Sequence, residues 1–476
     1  MNKVLMGNAF FLGSYARFEE NRPLIDTSWW QNDGVVNTNS MIAPSSNITV
    51  NNNESLQVGK WNHIETKVNW DHLDMVGLSV SDTLGFSNIS EFYRTIAEKL
   101  SRLPQLLIIK RSRWNSGALY IILKEGYRRK IWGDIMKIQV VLSGYGTVGR
   151  EFIKLVNEKY LYIHETYGIH LVVSGVLGRN IAIHNEEGLS IHHLLMYGGG
   201  TAAIEKYIEH HPKDPATNCI NGNVLVESTV TNLKDGNPGK KYIKQAIEKH
   251  MDIVAISKGA LVTNWREIKE AAKEANVRIR YSGATAAALP TLDIGQFSLA
   301  GCNIEKIEGI LNGTTNYILT KMYEEDVTFE EALKEAQKKG IAETNPILDV
   351  SGSDSACKLL LLANSLIGVE NTLTDIHIKG IENVTKQQIR NAKEQNNYIK
   401  LIASAYKDMD GKVNLNVEPL EIEKDHPLAK VNGTEKGITF FTDTMGQVTT
   451  IGGASNPRGA AAAVLKDVIN LYRRDL

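Results

Sequence analysis

Lys358 lies four residues after Asp354 in the stretch GIAETNPILDVSGSDSACKLLLLAN, Gly340 to Asn364, at the start of an apolar run. That spacing puts both side chains on one helical face. Glu343 and Asp349 stand just upstream, so three carboxylates feed one apolar-flanked ammonium. Acids that close can hold an ammonium charged and aim it. The plainer alternative is an i,i+4 ion pair worth about 0.2–0.5 kcal/mol. A second lysine, Lys258, follows the apolar run Asp252–Ile256 in the order Ser257, Lys258, Gly259. At a strand end it could steady a carboxylate, a phosphate or a developing alkoxide, or it could simply be a surface lysine. The segment GILNGTTNYILTKM, Gly309 to Met322, sets Asn312, Gly313, Thr314, Thr315 and Asn316 between two apolar stretches. A turn of this kind offers backbone N–H groups to a polar ligand, or is a tight bend.

These groups need elements to position them, and the chain from Met136 onward supplies an alternation of apolar strands and helical patterns, the signature of an α/β unit with a parallel sheet. Its first strand, Lys137–Leu142, runs into GYGTVG and then into the helical pattern Arg150–Tyr160. In that context Gly144 permits the tight turn, Gly146 admits a pyrophosphate and Gly149 lets helix and strand approach, while the N–H groups around Thr147 and Val148 face the phosphate. A dinucleotide cofactor follows. The next strand, His170–Val176, lacks the terminal acid that would take a ribose 2′-hydroxyl and leads through Gly178 to Arg179 and Asn180. An Arg there favours a 2′-phosphate, so NADP is expected, with NAD as the alternative. A further strand, Asn223–Glu227, ends in Ser228, Thr229 and Val230, again where ligands bind in such sheets.

The 476 residues are 42% hydrophobic and 22% charged, with 53 Lys+Arg against 54 Asp+Glu. Ordinary globular composition of this length accommodates about three domains. A net charge of −1 gives no electrostatic footprint for nucleic acid or an anionic membrane. No apolar run approaches the roughly 20 residues that cross a bilayer, and Met1–Phe11 is too broken for a secretory signal. Three scattered cysteines, Cys219, Cys302 and Cys357, fit a reducing, cytoplasmic setting and exclude a disulfide scaffold or a Cys-based zinc site. His192–His193 and His210–His211 are read as solvated or locally hydrogen-bonded, because adjacent side chains do not converge on one face. No metal site is expected.

GYGTVG, the Ser-Lys-Gly at 257–259, GILNGTTNYILTKM, the ETNPILDVSGSDSACK block and DHPLAKVNG at Asp425–Gly433 occur in an order and spacing that resemble homoserine dehydrogenases, from Met136 to the C-terminus. The resemblance implies a doubly wound Rossmann domain over 136–282, a mixed α/β catalytic and dimerisation domain over 283–440, and a segment, 441–476, that packs back on the nucleotide domain. It implies reversible NAD(P)-dependent interconversion of L-aspartate 4-semialdehyde and L-homoserine, on the path to threonine, methionine and isoleucine, in a homo-oligomer, expected to be a dimer. The family's two essential lysines fall on Lys258 and Lys358, its substrate-binding Gly-Thr on Gly313 and Thr314, its substrate-binding Glu on Glu343, its acidic pair on Asp349 and Asp354, and its cofactor strand-end Thr on Thr229. Lys358, oriented by Asp354, would then protonate the developing alkoxide, Lys258 would position substrate or assist, and Glu343 would bind the substrate ammonium. The family usually has Tyr at Ile341, Asp at Asn345 and, in the better-known members, a cation-holding Glu at Ser282. A regulatory amino-acid-binding domain is not expected, nor threonine feedback through one.

Residues 13–104 resemble a different family, the C-terminal part of staphylococcal-type lipases, a partial α/β-hydrolase-like fragment within 1–104. WWQNDGVVNTNSM would carry that family's catalytic Asp at Asp33, KVNWDHLDMVG its His at His72, and Asp74 and Asp82 fall near its calcium ligands. No GxSxG occurs anywhere in the chain, so the nucleophile is missing and remnant esterase activity is the weaker reading. Deprived of most of its central sheet, the fragment is expected to fold poorly; serving as an interaction module is the other alternative. Residues 105–135 read as a linker. Trp132-Gly133-Asp134 must be encoded by TGG-GGN-GAY, a purine-rich string before Met136 like a bacterial ribosome-binding site, so the extension is readable as a fused frame.

Overall fold

A computed structural model describes residues 136–473 apart from 215, 217–219 and 454, together with the backbone of four short strands upstream. The chain divides into two units, Met1–Asp134 and Ile135–Leu476. In the first, Thr49–Asn51 pairs parallel with Trp61–His63, and Leu106–Arg111 pairs antiparallel with Leu119–Leu123, within the stretch read as a linker. Asp33, His72, Asp74 and Asp82 lie outside the described residues.

The second unit holds two six-stranded sheets. In the first, β1 (Met136–Ser143) is flanked by β2 (Ile169–Leu177) and β4 (Val224–Glu227), and the order is β6–β5–β4–β1–β2–β3, where β3 is Ala182–His184, β5 Asp252–Ala255 and β6 Ile279–Arg280. Only β3 runs antiparallel to its neighbour. This is the Rossmann order, and its switch point lies at the C-terminal ends of β1 and β4. Val140, Val141 and Leu142 of β1 and Val224–Val226 of β4 are fully buried, because helices cover both faces of a parallel sheet.

The turn after β1 behaves as its glycines demand. Gly144 adopts φ +86°, and a Cβ at Gly149 would lie 2.4 Å from the Gly144 carbonyl oxygen. Helix α1 (Thr147–Glu158) therefore sits directly on the turn. Gly149→Val should push α1 off its strand, costing about 1–3 kcal/mol in overpacking. The expected readouts are a lower melting temperature and loss of reduced-dinucleotide binding by fluorescence titration.

In the second sheet the order is β8–β10–β9–β7–β11–β12: β7 is Ile304–Ile310, β8 Ile376–Ile378, β9 Asn397–Lys407, β10 Val413–Glu423, β11 Lys436–Thr442 and β12 Gly446–Gly452. All neighbours are antiparallel except β8 and β10. Ile307, Leu401, Ala403, Ala405, Val417, Ile438 and Phe440 bury one face against α2 (Gly313–Glu325) and α4 (Ser353–Leu366), whose Leu359–Leu362 run is wholly enclosed. The position 440, read as a domain end, falls inside β11, since β11 and β12 form a hairpin turned at Gly446, φ +69°. Only α5 (Pro457–Tyr472) returns to the first sheet. Ala461, Val464 and Val468 bury there, Arg458 pairs with Glu158 at 2.5 Å, and Tyr472 Oη donates to Asn223 O at 2.9 Å.

Candidate active site

Asp354 sits in the first turn of α4, where the helix dipole favours a carboxylate, and Lys358 follows one turn later. Lys358 Nζ lies 2.6 Å from Asp354 Oδ2 and donates to Leu311 O at 2.7 Å. The other carboxylate oxygen, Oδ1, lies 3.3 Å from Nζ of Lys258, which stands just beyond β5 of the first sheet. One carboxylate therefore bridges two ammonium groups, one from helix α4 itself and one from the loop beyond β5. Burial works against the charged form of Asp354, but the two lysines and a hydrogen bond from Asn312 overcome it and hold the carboxyl well below the usual range. Burial likewise disfavours the Lys258 ammonium, yet Asp354, with Cys357 and Asp349, keeps its pKa raised.

Asn312 joins the remaining acid. Its Nδ2 donates to Asp349 Oδ1 at 2.7 Å and to Asp354 Oδ2 at 2.8 Å, while its Oδ1 accepts from Thr315 N at 2.9 Å and caps α2. Asp349, in the short helix α3 (Ile347–Val350), has its pKa raised by burial, with the Asn312 bond opposing. Sequence reading placed Asn312 in a polar turn but gave it no role; an asparagine before a helix already has an explanation as a cap. A second residue was missed altogether. Lys436, 3% exposed, donates to Ala286 O at 2.6 Å, and burial, reinforced by Lys358, pushes its pKa down to about 8. Nothing in one sequence distinguishes such a lysine from a surface one.

Gly313 is buried at the start of α2, and Thr314 Oγ1 donates to Ile341 O at 3.1 Å, fastening the stretch that carries Glu343. Glu343 is exposed, and no side-chain hydrogen bond joins it to the lysine pair among the described residues; its backbone oxygen accepts from Gln337 Nε2 at 3.2 Å. The structure thus brings together Lys258, Lys358, Asp349 and Asp354, and leaves Glu343 at the rim.

On the first sheet, Gly146 is exposed and no atom stands within 4 Å of where its Cβ would be. No side chain caps α1, so its first N–H groups stay open to an anion. Thr147 is exposed, Val148 is half-buried against the core, and Arg179 is exposed past the end of β2. Thr229 follows β4 and gives both its N–H and its hydroxyl to Glu227. A dinucleotide fits these residues. A monovalent cation does not fit at Ser282: its Oγ donates to Asp293 Oδ2 at 2.5 Å and accepts from the Lys466 ammonium at 2.9 Å, and that ammonium also pairs with Asp293 and Asp467.

The histidines are locally hydrogen-bonded as expected, His210 Nδ1 and His211 Nδ1 meeting the carbonyl oxygens of Lys206 and Tyr207 one turn back and His193 Nδ1 meeting Ser190 Oγ, and they make one further contact that the sequence does not show. The helices Ile191–Met196 and Gly200–His210 fold into a hairpin that sets His193 Nδ1 2.9 Å from His211 Nε2. The two pairs do meet, across elements rather than along one. Among the described residues no group of three or more potential ligands could hold a metal.

The family model described as homoserine dehydrogenase matches residues 290–469, and that of the homoserine dehydrogenase NAD-binding domain matches 144–282. The homoserine dehydrogenase of Methanocaldococcus jannaschii is 35% identical over 338 residues, covering 70% of this chain and 98% of that protein. This chain belongs to the homoserine dehydrogenase family. The NAD(+)-dependent homoserine dehydrogenase of Pseudomonas canavaninivorans is 31% identical, covering 70% of this chain and 96% of that protein. Among solved structures, a putative homoserine dehydrogenase from Archaeoglobus fulgidus aligns with a TM-score of 0.61 at 29% identity, over 71% of this chain and all of that one. Residues 22–111 match the lipase-like C-terminal domain, outside the dehydrogenase homology. No helix among the described residues is long and apolar enough to cross a membrane.

Proposed function

We propose that the chain interconverts L-aspartate 4-semialdehyde and L-homoserine with a nicotinamide dinucleotide, and that Lys358 is its proton-transferring group. The observation that carries this is the Asp354 carboxylate held between Lys258 and Lys358, at the place where the second sheet meets the strand ends of the first. When bound, the nicotinamide supplies or accepts the hydride. Lys358, aimed by Asp354 and the Leu311 carbonyl, gives its proton to the developing alkoxide and, once neutral, takes the hydroxyl proton in reverse. Lys258 steadies the substrate oxygen from the opposite side. Asn312 keeps Asp349 and Asp354 apart and oriented, and Asp349 and the rim carboxylate of Glu343 face the substrate's ammonium end. Gly144, Gly146, Thr147, Val148 and Gly149 hold the pyrophosphate. The test is formation of reduced dinucleotide from L-homoserine. A protein that binds the dinucleotide yet gives no turnover with homoserine would sink the reading.

Arg179 supports NADP as the preferred cofactor, because a guanidinium beyond β2 meets a 2′-phosphate. Arg179→Ala should lower the ratio of kcat/KM for NADP to that for NAD by roughly tenfold or more, the scale of one charge-assisted phosphate contact. An unchanged ratio would remove Arg179 from the cofactor site.

A further inference from the structure

We infer that Glu227 is the positioning residue that locks the cofactor loop and the Lys258 loop into one frame; the inference rests on the cofactor contact that the family resemblance gives Thr229 and on the role proposed above for Lys258. Glu227 ends β4, whose preceding residues Val224, Leu225 and Val226 are all apolar, and it is 0% exposed. Its Oε1 accepts the Thr229 N–H at 2.8 Å and the Thr229 hydroxyl at 2.5 Å. Its Oε2 accepts the hydroxyl of Ser257, the residue before Lys258, at 2.5 Å. A single carboxyl group thus touches the loops after β4 and β5, beside the switch point. The frame extends to the phosphate turn, since Ser228, between Glu227 and Thr229, donates to Gly144 O at 2.7 Å and Ser143 O at 3.0 Å.

Burying an acid is costly unless its oxygens are satisfied, and no lysine or arginine pairs with Glu227 among the described residues. The three hydrogen bonds and the N-terminus of the helix Gly239–Glu248, where a Cβ on Gly239 would lie 3.1 Å from Oε1, oppose that cost, though burial still outweighs the hydrogen bonds and raises the carboxyl's pKa. An apolar residue would fill the space equally well. Only a forked acceptor can hold Thr229 with one oxygen and Ser257 with the other, and so fix the separation between dinucleotide and Lys258. Small errors in that separation are expensive in a hydride transfer.

Glu227→Gln keeps the shape but presents an NH2 group to Ser257, and Ser257→Ala removes the lysine-side bond alone. Glu227→Gln is expected to weaken reduced-dinucleotide binding by about fivefold or more in fluorescence titration and to lower kcat by about tenfold or more, the scale of a buried hydrogen bond left unmade. Ser257→Ala should lower kcat while the dinucleotide KM stays within about twofold, and the Glu227→Gln, Ser257→Ala double variant should lose little more kcat than Glu227→Gln alone, because both act through one bond. Wild-type constants in Glu227→Gln, a lowered melting temperature with kcat and dinucleotide binding intact, or losses that multiply in the double variant would each overturn the inference. The dinucleotide titration needs no substrate, so it reads Glu227 even in an outcome where homoserine turnover fails and the functional reading falls by itself.

Discussion

Lys358→Ala is expected to lower kcat for L-homoserine oxidation by roughly 10²–10⁴-fold, the range of a positioned general acid–base, with the KM for dinucleotide unchanged. The lysine cannot be replaced from its surroundings. Its ammonium is fixed by the Asp354 carboxylate at 2.6 Å and the Leu311 carbonyl at 2.7 Å, and the other ammonium on Asp354, that of Lys258, comes from the loop beyond β5. With Lys358 gone, Asp354 keeps Lys258 as its partner, so the fold should survive and the loss should be chemical. A small primary amine added to the variant should recover part of the rate by occupying the vacated space. Full turnover in Lys358→Ala would remove it from the chemistry, and would direct attention to Lys258.

Asp354→Ala should cost more in stability and comparably in rate. The substitution leaves two partly buried ammonium groups facing one another and takes an acceptor from Asn312. Removing one partner from a buried ionic group costs about 3–5 kcal/mol. The pH dependence identifies the origin. Because the carboxyl is held below its unfolded value, the stability it contributes is fully present above the unfolded aspartate pKa, near 4, and is lost as pH falls below that value toward the folded one. Melting temperatures of wild type and Asp354→Ala should therefore differ most near neutrality and converge as the solution is acidified below about pH 4. A gap that stays constant with pH would show that Asp354 acts through packing rather than charge.

How legible this site is depends on the distance over which each signal acts. The glycine turn and the Asp354–Lys358 pair are local patterns, set by strand-to-helix geometry and helical periodicity, and the structure reproduces them as read. Lys258 was recognisable as a lysine at a strand end, but its meeting with Asp354 is a tertiary fact that no spacing encodes. Asn312 was hidden by having a sufficient local explanation. Lys436 and Glu227 were hidden by composition, since charged residues are presumed outside until packing shows otherwise. The resemblance sets the returning segment from 441, yet GQVTTIG forms β12 and completes the second sheet against β11, a strand pairing that the boundary of a family domain does not reveal.

Helix α5 has a consequence for how the protein comes into being. The nucleotide-binding half is encoded first, yet the helix that seals its flank, anchored by Arg458 on Glu158 and by Arg278 on the Leu471 carbonyl, is translated only after the whole second sheet. A nascent chain with its Rossmann strands already outside the ribosome still shows bare the groove that Ala461, Val464 and Val468 will fill. The first half is therefore covered in full only once the end of the second has been made. A gene split at their boundary would yield a first product with an unsealed core, and contacts of such sequence separation slow folding.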